Sequence, residues 1–287
     1  MTVDATSTPP ERTEMTVAQA LAEAQRAGVD RLDAQLMLAH LLQHPRSWLI
    51  AHDDAQLGAH SSRYAQWLQR RGAGEPLAYV VGQAEFCGLT LQVGPQVLIP
   101  RPETEQLVEW GEEVLSSWRA MAPAARVIDL GCGSGAIALA IRHRCPAAEV
   151  TAVDASAAAL DIARRNAEAL GLPITWALGD WWTAVAGQRF HLALANPPYV
   201  APGDPHLKAL HHEPHSALVA AENGMADLHR LIDAAPTALH PGGWLLLEHG
   251  HDQGQPVRER LQQAGFIQVE TRRDLAGLER CTGGRFG

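Results

Sequence analysis

Apolar positions recur at helical spacing near the start of the chain and change later to short continuous runs separated by helical stretches. Val17, Ala20, Leu21 and Ala24 share one helical face. Ahead of them Thr16 and Gln19 fit a capping box, in which the threonine hydroxyl accepts a free N–H at a helix start. Gly28 is a good stop. A second helical pattern runs over Arg31–Gln43, carried by Leu32, Leu36, Leu38, Ala39 and Leu42. Pro45 opens a third, short one with Trp48 and Leu49, and a fourth covers Ala59–Arg71. Residues 15–72 therefore read as a small helical bundle. The polar, proline-containing stretch 1–14 reads as a disordered terminus.

Residues 73–102 change character. Val80-Val81, Phe86 and Leu89–Val93 around Gly88 predict a short β-hairpin, and Val97–Pro102 closes this linker. From 103 to 287 helices and strands alternate. The strands expected are Arg126–Leu130, Val150–Asp154, Ile174–Leu178, Leu192–Ala195, Trp244–Glu248 and Phe266–Thr271. The helices expected are Glu103–Trp118, Ala136–His143, Ser156–Leu170, Ala226–Leu239 and Gln253–Ala264, with Pro236 badly placed in the fourth of these five. Alternating βαβ units with apolar strands imply an α/β, doubly wound, mostly parallel sheet.

Composition narrows the class of function. The 287 residues are 46% hydrophobic and 19% charged, ordinary values for a globular chain of this length. The net charge of −9 and the lack of any Lys/Arg run argue against a protein that grips a phosphate backbone, so no direct nucleic-acid partner is expected. No apolar run approaches the roughly 20 residues needed to cross a bilayer. The start has no signal pattern, and Cys87, Cys132, Cys145 and Cys281 show no CxxC spacing. A cytoplasmic protein without a membrane partner is the expectation. His206, His211, His212 and His215 cluster, but no Cys ligand set or HExxH motif accompanies them, so no metal is expected.

The first predicted strand of the alternating region runs into Asp129-Leu130-Gly131-Cys132-Gly133-Ser134-Gly135. Glycines let the backbone turn tightly and approach a ligand, and the next helix starts at once with its free N–H groups toward it. Gly131, Gly133 and Ala136 also satisfy the loose dinucleotide pattern, so the loop alone marks a nucleotide-type cofactor without choosing one. Asp154, ending the next strand, is placed to accept ribose hydroxyl protons. DLGCGSG resembles the first motif of class I S-adenosylmethionine-dependent methyltransferases. Gly179-Asp180-Trp181 follows the third strand, where that family has its adenine contact: Asp180 would accept from the exocyclic amine and Trp181 would cover the ring.

The fourth strand leads directly into Asn196-Pro197-Pro198-Tyr199, at the carboxyl edge where open α/β sheets bind ligands. An amide nitrogen is a poor nucleophile but carries two N–H donors. The Asn196 side-chain oxygen and the Pro197 carbonyl offer two acceptors to hold them, on a loop stiffened by proline. Tyr199 would pack over the planar acceptor group. Asn196, Pro197, Pro198 and Tyr199 are thus the candidate substrate contacts, with Asn196, Pro197 and Tyr199 the candidate catalytic group.

With Gly74–Tyr79 (GEPLAY), Ile99–Glu105 (IPRPETE), DLGCGSGAIALA, NPPY, Asp204–Leu207, Glu213-Pro214 and Leu246–Gly250 in hand, the chain resembles, from about residue 17 onward, the protein-(glutamine-N(5)) methyltransferases that modify peptide chain release factors. The resemblance implies a class I, Rossmann-like catalytic domain with S-adenosylmethionine as cofactor and no metal, preceded by a helical domain that helps hold the release factor. It implies as acceptor the glutamine of a Gly-Gly-Gln loop in class 1 release factors, and hence a role in translation termination. It places cofactor contacts on Gly131, Cys132, Gly133, Ser134, Gly135, Asp154, Trp181 and Asn196. Two segments depart from the family pattern. His191 stands where an acid is usual, and Leu210-His211-His212 replaces a longer Arg-bearing stretch. A glutamine methyltransferase of a ribosomal protein shares most of these motifs and stays open as an alternative, with a nucleic-acid amino-methyltransferase behind it.

Overall fold

A computed structural model describes residues 15–118 and 124–287. The expected disorder of residues 1–14 lies outside the described residues. The chain divides into two compact units, Met1–Val81 and Gly82–Gly287.

The first unit holds helices α1 (Val17–Arg26), α2 (Arg31–Leu42), α3 (Arg46–Ala51), α4 (Ser61–Gly72) and α5 (Leu77–Val81). The capping box forms as read: Gln19 N–H donates to the Thr16 hydroxyl at 3.3 Å, and the Gln19 side chain accepts from Thr16 N–H at 2.9 Å. Val17, Ala20, Met37, Leu38, Leu49, Tyr64 and Leu68 make a shared apolar core. The expectation that Val80-Val81 belong to the hairpin is corrected: they end α5. Pro76 starts that helix, since its carbonyl accepts from Tyr79 and Val80 N–H. Arg70, paired with Glu75, donates to the Tyr79 and Val80 carbonyls at the other end.

The second unit begins with a hairpin of β1 (Gln83–Phe86) and β2 (Leu89–Gln92), followed by helix α6 (Glu105–Trp118). Strands β3 (Arg126–Leu130), β4 (Glu149–Asp154), β5 (Thr175–Leu178), β6 (Phe190–Ala195), β7 (Leu239–Glu248), β8 (Phe266–Arg273) and β9 (Glu279–Phe286) form one sheet in the order β5-β4-β3-β6-β7-β9-β8. The first five are parallel, and β9 runs antiparallel between β7 and β8. Helices α6, α7 (Ala136–Arg144) and α8 (Ala157–Leu170) contribute to the core on one side. Helices Ala226–Ala238 and Gly254–Gln263 contribute to the other. Pro236 sits in the last turn of its helix, which ends at Ala238. The winding direction reverses between β3 and β6, so the carboxyl ends of these two strands flank the switch point where such sheets bind ligands.

Candidate active site

The loops leaving β3, β4, β5 and β6 share one cleft of about 650 Å³. Gly131, Cys132, Gly133, Ser134, Asp154, Asp180, Trp181, Asn196 and Pro198 line it. Among the expected site residues, Gly135 instead starts α7, Pro197 is buried, and the Tyr199 hydroxyl turns toward Glu248.

The glycine loop has a left-handed backbone at Gly131 (φ 75°), Gly133 (φ 52°) and Gly135 (φ 83°). A Cβ on Gly131 would stand 2.8 Å from the Trp181 ring. Trp181 itself has φ 47°, which a bulky residue adopts only where its surroundings hold it there. Its indole N–H donates to Asp227 at 3.2 Å, keeping the ring over Gly131. Asp180 is exposed and pairs with Arg230, and both Arg230 and Asp227 line the cleft. Behind the loop, Asn166 on α8 donates to the Ser134 carbonyl at 2.9 Å and exchanges two hydrogen bonds with the Gln92 backbone. The hairpin and the glycine loop are thereby tied to one side chain.

Three acids stand close to the cleft for different purposes. Asp154 accepts from Gly133 N–H and Ser156 N–H, both at 2.8 Å, one on each carboxylate oxygen. Burial raises its pKa, and backbone N–H groups of Ser156, Gly133 and Ala155 oppose the rise. Asp129 is fully buried beneath the loop. One of its oxygens accepts from Ala138 N–H at 3.0 Å near the start of α7, and the other has no partner among the described residues. Burial pushes it up to about 7, against the Ala138 hydrogen bond.

The third acid, Glu248, ends β7 and is fully buried. Thr104, buried just before α6, donates its hydroxyl to Glu248 Oε2 at 2.6 Å. Tyr199 donates to Oε1 at 3.2 Å. Burial pushes Glu248 up to about 7, opposed by these two hydroxyls. Asn196 in turn donates from Nδ2 to Thr104 Oγ1 at 3.1 Å. The far end of the same loop is fixed by Gln253, which donates to the Tyr199 carbonyl at 3.0 Å, and by the bridge Val200–Val219.

The IPRPETE and Glu-Pro segments meet here as well. Buried Glu213 accepts from Ile99 N–H at 3.0 Å and pairs with Arg101, and Glu105 accepts from Cys87 N–H at 2.7 Å. The sequence marks these motifs without giving Arg101, Thr104, Glu213 or Glu248 a partner. Nothing in it singles out Asn166, Asp227 or Arg230.

A glycine loop with left-handed backbone, crowded at Gly131 and Gly135, a helix start facing the cleft and acids with unused lone pairs suit a nucleotide-like ligand bearing hydroxyls and a positive charge. Among the described residues no three His, Cys, Asp or Glu side chains are grouped to hold a metal ion. No described helix is long and apolar enough to cross a membrane.

Comparison with known proteins agrees with this geometry. Residues 105–273 match the Methyltransferase small domain family, and residues 16–82 match the PrmC N-terminal domain. The release factor glutamine methyltransferase of Bordetella pertussis is 47% identical over 90% of this chain and 95% of its own. That of Xylella fastidiosa is 46% identical over 93% and 97%. A solved methyltransferase of Pyrococcus furiosus shares the fold with a TM-score of 0.52, at 18% identity over 79% of this chain and 99% of its own. With relatives of this identity along nearly its whole length, the chain belongs to the release factor glutamine methyltransferases, a family of S-adenosylmethionine-dependent enzymes.

Proposed function

We propose that this protein transfers the methyl group of S-adenosylmethionine to the side-chain amide nitrogen of the glutamine in the Gly-Gly-Gln loop of class 1 peptide chain release factors. The observation that carries this reading is Asn196, held with its amide nitrogen on Thr104 in the same cleft as the glycine loop and Asp154. Bound there, the cofactor supplies an electrophilic methyl group on a sulfonium. Gly131–Ser134, Asp154, Asp180 and Trp181 hold it, and the Asn196 side-chain oxygen and the Pro197 carbonyl hold the two N–H groups of the acceptor. Tyr199 and Pro198 stiffen and flank the acceptor loop. No strong base is required, because the nitrogen becomes acidic once it is methylated. A release factor substrate places the reaction in the cytoplasm and calls for no nucleic-acid surface.

The direct test is methyl transfer from labelled cofactor to purified release factors, ribosomal proteins and DNA. Label on the glutamine of a release factor is the expected result. Label confined to a ribosomal protein or to DNA would overturn the substrate assignment.

The glycine loop gives a separate expectation. Gly131→Ala must place a side chain at φ 75° and against the Trp181 ring. Left-handed backbone costs about 1–2 kcal/mol, and overpacking adds about 1–3 kcal/mol. Calorimetry should show S-adenosylmethionine binding at least about tenfold weaker, since about 1.4 kcal/mol is a factor of ten. Gly133→Ala meets nothing within 4 Å and should lose less.

The first unit is proposed to select the protein substrate. Gly82–Gly287 carries its own sheet, cores and cleft. Removing the residues before Gly82 should leave a cooperatively melting protein that keeps its cofactor affinity. Its kcat/KM on an intact release factor should fall at least about tenfold, the scale of losing one modest interface hot spot. An unchanged kcat/KM would remove the first unit from recognition.

A further inference from the structure

We propose that Thr104 and Glu248 form a relay that fixes which way round the Asn196 side-chain amide sits, so that its oxygen rather than its nitrogen faces the cleft. The inference deepens the function proposed above and rests on Asn196 as the acceptor-loop contact. It assigns a positioning role to Thr104, which lines the cleft, and to Glu248, to neither of which that reading gives a substrate or cofactor contact.

Donor and acceptor counts decide the orientation. An amide side chain has two ends of nearly equal shape but opposite hydrogen-bonding sense. Only the oxygen end is useful toward a substrate –NH₂, because the nitrogen end would set donor against donor. The acceptor loop alone does not choose between the two. The choice comes from behind.

Burial pushes Glu248 up to about 7, so above that pH it is ionised and only accepts. Its two oxygens take the hydroxyl protons of Thr104 at 2.6 Å and Tyr199 at 3.2 Å. Thr104 has a single hydroxyl proton, and that proton is spent on Glu248. What remains on Thr104 Oγ1 is a lone pair, which can only receive. The Asn196 atom facing it must therefore be the N–H end, as found at 3.1 Å. The Asn196 oxygen is left toward the cleft that Asn196 lines.

With Glu248 ionised, above about pH 7, burial keeps competing partners away. Thr104 is 4% exposed and Glu248 1%, so water does not compete for either group. Turning the amide over would bring Asn196 Oδ1 against a threonine oxygen whose proton points away, leaving two acceptors face to face. The relay has a consequence for specificity. An oxygen held toward the cleft welcomes a primary amide and repels a carboxylate, so a glutamate in the acceptor position is rejected at the same atom that holds glutamine.

The chain contains three asparagines, Asn166, Asn196 and Asn223, which makes the amide directly observable. In protein labelled with ¹⁵N-asparagine, the Asn196 side-chain signals are identified by their loss in Asn196→Asp. In the wild type one of the two Asn196 amide protons should exchange with water at least tenfold more slowly than in Thr104→Val, which keeps the shape of the side chain and removes the hydroxyl. Thr104→Ser should restore the slow exchange.

The same three proteins are assayed for methyl transfer to a release factor. Thr104→Val should lower kcat at least tenfold with little change in KM for the protein substrate, and Thr104→Ser should recover most of the rate. Melting temperatures show whether each variant is folded.

Fast exchange of both Asn196 amide protons in the wild type overturns the relay, whatever the variants do. So does a folded Thr104→Val with unaltered exchange or unaltered kcat. A wild type that fails to methylate any release factor removes the function reading instead, and the exchange measurement still decides the relay.

Discussion

Asn196→Ala is expected to lower kcat on a release factor at least about 100-fold, the scale for losing one aligned contact made in the transition state. The loss belongs in kcat because the amide nitrogen must be aimed most accurately when the new bond is forming. Binding should suffer less, since the glycine loop and Asp154 are untouched by the change. The geometry gives a reason to separate this variant from a general loss of stability. Asn196 is only partly buried and makes one side-chain hydrogen bond to the protein among the described residues, from Nδ2 to Thr104. Its removal leaves Thr104 still donating to Glu248 and leaves the loop fastened through Gln253, Tyr199 and Val200. Melting temperature should therefore move little. Asn196→Asp keeps an oxygen but has no N–H for Thr104, so a carboxylate would face an oxygen whose proton is committed elsewhere. It should also lose turnover at least about 100-fold, although its charge can tighten cofactor binding. Full activity in Asn196→Ala would remove this residue from the mechanism. A large drop in melting temperature with specific activity intact would make it a turn residue and no more.

The loops that line the cleft are legible in sequence because each motif is local. A glycine loop between an apolar strand and a helix, a strand-end acid and NPPY need only a few adjacent residues each, and the parallel sheet then brings their loops to one edge. Thr104 and Glu248 are 144 positions apart, and Asn196 lies between them in the chain. Nothing in the spacing joins them until β6 and β7 are paired. The same holds for Arg101 with Glu213, and for Trp181 with Asp227. Strand β9 was missed for a different reason. Its Thr282-Gly283-Gly284-Arg285 holds two adjacent glycines, and glycine weakens a strand. In the sheet these glycines make space for neighbours. A Cβ on Gly283 would stand 2.5 Å from Leu246, and one on Gly284 would stand 3.1 Å from Phe266. Packing by Trp110, Leu246 and Phe266 outweighs the local preference, and the last strand is inserted between β7 and β8. Val80-Val81 failed in the opposite direction. β-branched residues favour strands, but Pro76 starts a helix there and Val80 is drawn into the core of the first unit.

Asp154→Ala is expected to weaken S-adenosylmethionine binding at least about 100-fold. Both carboxylate oxygens already accept a backbone N–H, from Gly133 and from Ser156. Each oxygen has a second lone pair, so the group can hold the glycine loop and a ribose diol at once. Charge-assisted hydrogen bonds are worth roughly 1.5–3 kcal/mol each. Two of them exceed the ~2.8 kcal/mol that a factor of 100 requires. The variant also leaves two N–H groups without their acceptor, so a loosened loop and missing hydroxyl hydrogen bonds both weaken binding. A cofactor analogue without ribose hydroxyls separates these causes. The wild type should bind the deoxy analogue far more weakly than the natural cofactor, whereas Asp154→Ala should bind the two within a few-fold. That pattern is the coupling expected when both changes delete one shared interaction. If the analogue loses as much affinity in Asp154→Ala as in the wild type, the hydroxyls are bound elsewhere and Asp154 serves only the loop. Turnover at saturating cofactor gives the complementary check. With Asn196, Thr104 and Glu248 unchanged, kcat should stay within about tenfold of the wild type, because the ribose is held equally well before and during methyl transfer.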